Sequence, residues 1–202
     1  MPIYNHSQSV RYLAKRDPVI KKLIKQIQLQ PLKARRNHFE SLISSVISQQ
    51  LSVKAARTIK KRFVDLFGKK FPVPAEVLAM SFERLRTSGL SGSKISYIKN
   101  IAETVESGAV DFKKLKKLSD EEIITELVKI KGIGRWSAEM FLIFSLNRPN
   151  VFSHGDLGLK NAVKKLYSID PKLHSGKLNK LLDTWHPHAS TASRYLWKSL
   201  EL

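Results

Sequence analysis

The chain has no cysteine among its 202 residues. That excludes a disulfide framework, a thiolate zinc site and a cysteine-ligated iron–sulfur cluster. It also lacks any apolar run approaching the roughly 20 residues of a membrane-spanning helix. The first residues, Met1-Pro2-Ile3-Tyr4-Asn5-His6, have neither the basic n-region nor the apolar h-region of a secretory leader. No membrane partner is therefore expected, and the expected setting is cytoplasmic in a bacterium or archaeon, or nuclear in a eukaryote. Glycine and proline are sparse, 9 and 8 residues, and 42% of the chain is hydrophobic, which suits a globular fold with a real core. Negative charge is short relative to positive. Seventeen acidic residues face 36 basic ones, giving a net charge of +19 and a sequence pI of about 10.2. Such a surplus asks for a polyanion, nucleic acid before others. Ribosome association or a lysine-rich solvated surface remain open on charge alone.

Period-two alternation is missing too, and no internal repeat is found, so the expected class is all-α. Asp17-Pro18 reads as an N-cap with proline at the first helical position, followed by an apolar face of Val19, Ile20, Leu23, Ile24 and Ile27. Lys33-Ala34-Arg35-Arg36 is a basic connector. From Asn37, the residues Phe39, Leu42, Ile43, Val46 and Ile47 recur at helical spacing. That helix ends in Ser48-Gln49-Gln50-Leu51, and Ser52 caps the next, Val53 to Phe67. The two glutamines at this tip read, on general grounds, as exposed loop polars. Pro72 and Pro74 suggest a rigid connector, Ser81 caps a short helix, and a further apolar stripe runs from Ile95 to Val105. Lys113, Lys114, Lys116 and Lys117 form a basic cluster. Leu157 to Tyr167 is helical, Asp170-Pro171 opens a polar connector, and Ser190 to Leu200 closes the chain as a helix. His186 and His188, separated by Pro187, read as a surface loop rather than a metal site.

The middle of the chain is more informative. Ser119-Asp120-Glu121-Glu122 is a capping box that starts a helix at Asp120. The helix runs into Ile130-Lys131-Gly132-Ile133-Gly134, and a second helix starts at once at Arg135. A helix, a Gly-x-Gly turn and a helix make a helix–hairpin–helix, spanning about residues 119–146. The two glycines allow φ > 0 and bring bare N–H groups and the positive end of the second helix to one point, which suits a phosphate. Lys131, Gly132, Ile133, Gly134 and Ser137 are the residues expected at the DNA backbone, a contact that carries no sequence information. Backbone carbonyls on the inner side, those of Val128, Ile130 and Ile133, are expected to hold a structural Na⁺ or K⁺. A plain glycine C-cap between two helices is the competing reading, and for Asp156, ahead of the next helix, a plain N-cap is.

Lys129-Ile130-Lys131-Gly132-Ile133-Gly134-Arg135-Trp136-Ser137-Ala138-Glu139-Met140, then Asn147-Arg148-Pro149-Asn150-Val151-Phe152 and Gly155-Asp156-Leu157, resemble the helix–hairpin–helix (HhH-GPD) DNA glycosylases. Within them the chain is similar to the 3-methyladenine DNA glycosylase II (AlkA-like) branch. The likeness takes in Ser48 to Ala56 and Ser190 to Trp197, and covers most of the chain from Asp17 on. It implies two helical lobes with a DNA-binding cleft between them and no β-domain. The central lobe would span residues 36–150, and the other residues 1–35 plus 151–202.

By that resemblance Asp156 is the catalytic carboxylate. Trp136 stands where bifunctional relatives carry a Schiff-base lysine, so a monofunctional, water-using enzyme is implied. Trp136, Trp197, Phe39 and Met140 are assigned to the base pocket, where aromatic faces favour a cationic alkylated purine. Gln50 matches the plug that fills the gap left by a flipped base, with Gln49, Leu51 and Ser52 beside it on the DNA. Ser52 departs from a histidine found in some members, Ala189 from an arginine, and Met140 from a pocket tyrosine. The implied activity is excision of 3-methyladenine, 7-methylguanine and related N-alkylpurines from double-stranded DNA in base-excision repair. It would be carried out by a monomer without catalytic metal or organic cofactor. A same-fold enzyme for uracil or for deaminated or oxidised purines, or a non-catalytic binder of damaged DNA, are the alternatives.

Overall fold

The computed structural model describes residues 5–32, 37–171 and 173–202, and among these every regular element is a helix. The basic connector expected at residues 33–36 lies outside them. In chain order the helices are α1 (His6–Arg16), α2 (Pro18–Gln26), α3 (His38–Ser48), α4 (Val53–Asp65), α5 (Pro74–Ala79), α6 (Phe82–Arg86) and α7 (Gly92–Glu106). There follow α8 (Phe112–Leu115), α9 (Asp120–Val128), α10 (Arg135–Phe144), α11 (Leu157–Tyr167), α12 (Ser175–Trp185) and α13 (Ala189–Ser199). The chain divides into two compact units, Arg35–Phe141 and Met1–Ala34 with Leu142–Leu202.

In the central unit α3 packs on α4 and α7, and α5 and α6 pack on α7. The apolar stripe of α3 is the reason: Leu42, Ile43, Val46 and Ile47 are almost wholly buried, as are Ile95, Ile98 and Ile101 on α7. Side-chain caps start most of these helices. Asn37 accepts from Glu40 N–H, Ser52 from Ala55 N–H and Ser81 from Arg84 N–H. The expected connector at Pro72 and Pro74 is partly helical, because Pro74 occupies the first position of α5, where its missing N–H costs nothing, and Glu76 accepts from Val73 N–H.

In the other unit α1 and α2 pack on α13, α11 packs on α13, and Leu13, Ile20, Leu159, Trp185, Tyr195 and Leu196 lie in the shared core. Two helices here depart from the sequence expectation. Helix α1 is capped by Asn5. The polar connector expected after Asp170 contains α12, whose Leu178, Leu181, Leu182 and Trp185 recur at helical spacing and turn toward the core. Residues 142–150, placed by the sequence boundary in the central lobe, group with the terminal helices. Phe144 lies against Trp197, ring centroids 5.6 Å apart, and Ser190 Oγ donates to Arg148 C=O at 2.6 Å.

Candidate active site and DNA interface

The hairpin belongs to the central unit. The Ser119 capping box forms as expected: Ser119 accepts from Glu122 N–H, and Glu122 accepts from Ser119 N–H at 2.7 Å. Arg135 then staples the two helices together. Its guanidinium donates to both Glu121 oxygens, at 2.5 and 3.0 Å, and to Glu139 at 3.1 Å. The hydrogen bonding from Arg135 holds the Glu121 carboxyl below the usual carboxylate range. Between them Gly132 sits at φ +101°. A Cβ there would come within 2.2 Å of the Tyr97 ring, so both the backbone angle and the packing demand glycine. Gly134 is different. It does not have positive φ, and a Cβ would meet nothing within 4 Å, so what it supplies is an open surface.

Two residues expected at the DNA backbone are used internally. Ile133 is 4% exposed and its N–H donates to Ile130 C=O at 2.9 Å, so that N–H is already committed. Ser137 is buried, and its Oγ accepts from Gln49 Nε2 at 3.0 Å. Gln49 is likewise not a free loop polar, because its amide also donates to Gly132 C=O at 3.0 Å. It ties the α3–α4 tip to the hairpin turn. What remains outward is Lys131, Gly134, Ser52 and the tip itself, where Gln50 is exposed at φ +56° and Leu51 is 38% exposed. Ser52 spends its hydroxyl capping α4. Phe39 is 5% exposed and lies edge-on to Phe71, centroids 6.2 Å apart, within the core of this unit. Trp136 and Met140 are both half-buried and one helical turn apart on α10, so they share a face.

Asp156 belongs to the terminal unit and is 8% exposed. Its Oδ1 accepts the Leu159 N–H at 2.8 Å, making it the N-cap of α11. The same oxygen accepts the Trp197 indole N–H at 2.9 Å. Capping and catalysis compete as readings of this residue in the sequence; the cap is real, and it orients the carboxylate at the positive end of a helix, where a negative charge is favoured. A Cβ on Gly158 would lie 3.1 Å from Asp156 Oδ1 and 3.2 Å from the Trp197 ring, so this glycine leaves room for the pair. Trp197, assigned to the base pocket, thus also holds the carboxylate.

Ser190, in the sequence no more than one member of a matching stretch, fastens the segment leading to Asp156. Its Oγ donates to Arg148 C=O and accepts Val151 N–H at 2.9 Å, and its own N–H donates to Pro149 C=O. Ala189, the departure beside it, is buried at the start of α13.

The chain matches, over residues 43–188, the family described as HhH-GPD superfamily base excision DNA repair protein. It belongs to that superfamily. It is 41% identical over 171 residues to DNA-3-methyladenine glycosylase 1 of Schizosaccharomyces pombe, covering 83% of this chain and 75% of that one. Among solved structures, 3-methyladenine DNA glycosylase of S. pombe in complex with abasic DNA superposes with a TM-score of 0.87 at 36% identity, covering 96% of this chain and 97% of that one. DNA-3-methyladenine glycosidase from Bacillus halodurans gives 0.77 at 39% identity, covering 95% and 88%. The all-helical fold with its hairpin is therefore the superfamily's fold.

Proposed function

We propose that this protein is a monofunctional DNA glycosylase of the 3-methyladenine type, hydrolysing the N-glycosidic bond of alkylated purines as the first step of base-excision repair. The observation that carries this reading is the setting of the Asp156 carboxylate at the head of α11: its Oδ1 is held by the indole N–H of the half-buried Trp197, and Gly158 leaves room beside the pair. Support comes from the superfamily and from relatives named as 3-methyladenine glycosylases.

In the reaction the C1′–N bond breaks and its electron pair leaves on the base. An N3- or N7-alkylated purine already carries positive charge, so it departs as a neutral molecule with little acid assistance. The sugar becomes oxocarbenium-like, and a fixed carboxylate in a water-poor site stabilises that charge and orients the attacking water. Water adds to C1′ through its oxygen and the surplus proton passes to solvent, leaving an abasic site. Trp136 supplies no amine for a Schiff base, and its ring favours a cationic base by stacking and cation–π attraction. Trp197 positions Asp156 through its N–H. Gln50 and Leu51, at the tip of the α3–α4 loop, fill the space of the flipped nucleotide.

Lys131 and the open backbone at Gly134 hold the phosphate chain. A Na⁺ or K⁺ on the carbonyls of Val128, Ile130 and Ile133, hard oxygen donors suited to an alkali cation, would add positive charge beneath that contact. The protein acts as a monomer on double-stranded DNA, in the cytoplasm of a bacterium or archaeon or the nucleus of a eukaryote.

The test is release of free base from methylated duplex DNA, with a panel of single-lesion duplexes alongside. Release of 3-methyladenine is the expected result. Release from uracil or oxidised-purine duplexes instead would reassign the lesion, and tight binding of abasic duplex with no release of any base would make it a binding protein.

A further inference from the structure

The tip that carries Gln50 is too small to hold its own shape. Gln50 sits in the left-handed region at φ +56°, which is strained for a non-glycine residue and persists only where its surroundings enforce it. The local bonds are modest: Gln49 N–H donates to Val46 C=O at 3.3 Å, and Leu51 N–H to Ser48 C=O at 3.2 Å.

The enforcement comes from α7. Lys94 Nζ donates to Ile47 C=O and to Gln49 C=O, both at 2.8 Å. Lys94 lies in the first turn of α7, where its own helix dipole disfavours a positive charge. Its ammonium is instead spent at the C-terminal end of α3, whose last carbonyls have no partner within the helix. Burial pushes the ammonium pKa down, so this placement has a cost that the two bonds offset. On the other side, Gln49 is pinned through its side chain to Gly132 C=O and Ser137 Oγ. Gln49 is thus held by its carbonyl from α7 and by its amide from the hairpin, with Gln50 thrust outward immediately after it.

We infer that Lys94 is a positioning residue for the gap-filling tip. Together with Gln49 it presets Gln50 before DNA arrives and links the tip to the hairpin that holds the phosphate chain. The proposal rests on the glycosylase reading, and it concerns base flipping rather than bond cleavage.

The test uses the full chain and a duplex carrying a stable tetrahydrofuran abasic site with 2-aminopurine opposite the gap. Saturating wild-type protein fills the gap and changes the 2-aminopurine fluorescence. Lys94→Met removes both donated bonds while keeping the stem. It is expected to lose most of the fluorescence change at saturation and to bind the abasic duplex about tenfold more weakly, the effect of roughly 1.4 kcal/mol. Affinity for the undamaged duplex should stay within about twofold, and Lys94→Arg should restore much of the signal. Gln49→Leu should give the same pattern, and the double variant should be less impaired than the product of the two single effects.

A full fluorescence change with unaltered abasic preference in Lys94→Met would overturn the inference. So would an equal loss on damaged and undamaged duplex, or a collapsed melting transition, since either makes Lys94 only a structural cap. A wild-type protein that neither binds the abasic duplex nor releases base would contradict the proposed function itself, a result separable from all of these.

Discussion

Asp17 and Asp156 are both buried aspartates in the terminal unit, both N-caps, and both accept a tryptophan indole N–H. Asp17 is 3% exposed. Its Oδ1 takes Val19 N–H at 2.8 Å and Ile20 N–H at 2.9 Å, and its Oδ2 takes the Tyr167 hydroxyl and the Trp185 indole, each at 2.7 Å. These donors come from three elements, and Trp185 is wholly buried, so the carboxylate is a core joint. Asp156, at 8% exposure, takes Leu159 N–H and Trp197 N–H through Oδ1, and Trp197 is only half-buried, with Gly158 leaving room beside the pair. The same residue type with the same local grammar therefore makes a core joint at Asp17 and, on the proposed function, a catalytic carboxylate at Asp156, and the setting of the indole partner, core against surface, separates them. Burial, the N-cap and the indole bond are shared, so none of these marks a catalytic acid.

The contrast should break hardest at Asp17. Asp17→Ala leaves the Tyr167 hydroxyl and the Trp185 N–H buried without their acceptor and removes the cap of α2. We expect a loss of roughly 3–4 kcal/mol in equilibrium denaturation, with base release per folded molecule unchanged. The Tyr167 hydroxyl, whose pKa is pushed up by burial and by the Asp17 carboxylate beside it, stays protonated as the donor at all working pH values. A second test exchanges the indoles. Trp197→Phe keeps the ring but removes the N–H from Asp156, and single-turnover release should fall about tenfold with little change in stability. Trp185→Phe should show the reverse, about 1 kcal/mol of stability lost and the release rate kept.

Gly132→Ala sharpens the comparison from the other unit. It must move Tyr97 and strain the turn, so duplex affinity should weaken several-fold, and a salt titration should show a slope shallower by about 0.9 for each phosphate no longer bound. The smallest effect is expected at the exposed hairpin staple. Glu121 has a folded pKa lowered by its hydrogen bond from Arg135, so its contribution is present above the unfolded glutamate value, about 4.3, and disappears as the pH falls through the folded value. The stability gap between wild type and Glu121→Gln, followed by thermal melts across pH, should therefore be constant near neutrality and close under acid.

The parts legible in the sequence are the local ones. The caps at Asp17, Asn37, Ser52, Ser81, Ser119 and Asp156 each act within three residues and are readable as patterns; so is the hairpin, because a Gly-x-Gly turn between two apolar faces is a short-range signal. What cannot be read is which polar atoms are already spent. Gln49 meets Gly132 across 83 residues, Lys94 meets Gln49 across 45, and Trp197 meets Asp156 across 41. No periodicity encodes such pairings. Hence the Gln49 amide, the Ser137 hydroxyl and the Ile133 N–H look available to DNA in the sequence and are engaged within the fold. Lys94 and Tyr97 carry no sequence mark, and Ser190 only its place in a matching stretch, yet they hold the tip, the turn and the segment before Asp156. Helix α12 is a different kind of miss: its spacing of Leu178, Leu181, Leu182 and Trp185 is present, but a polar, glycine-containing start masks it.

The catalytic role of Asp156 is tested most directly by single-turnover release of 3-methyladenine from methylated duplex by Asp156→Asn, with affinity for the abasic duplex measured in parallel. Asparagine keeps an oxygen that can accept from Leu159 and Trp197 and removes only the negative charge. Release is expected to slow by on the order of 10²–10³-fold, the scale of removing one preorganised electrostatic partner from a developing charge, with abasic-duplex affinity and melting temperature nearly unchanged. Release at the wild-type rate from a folded, DNA-binding Asp156→Asn protein would contradict it.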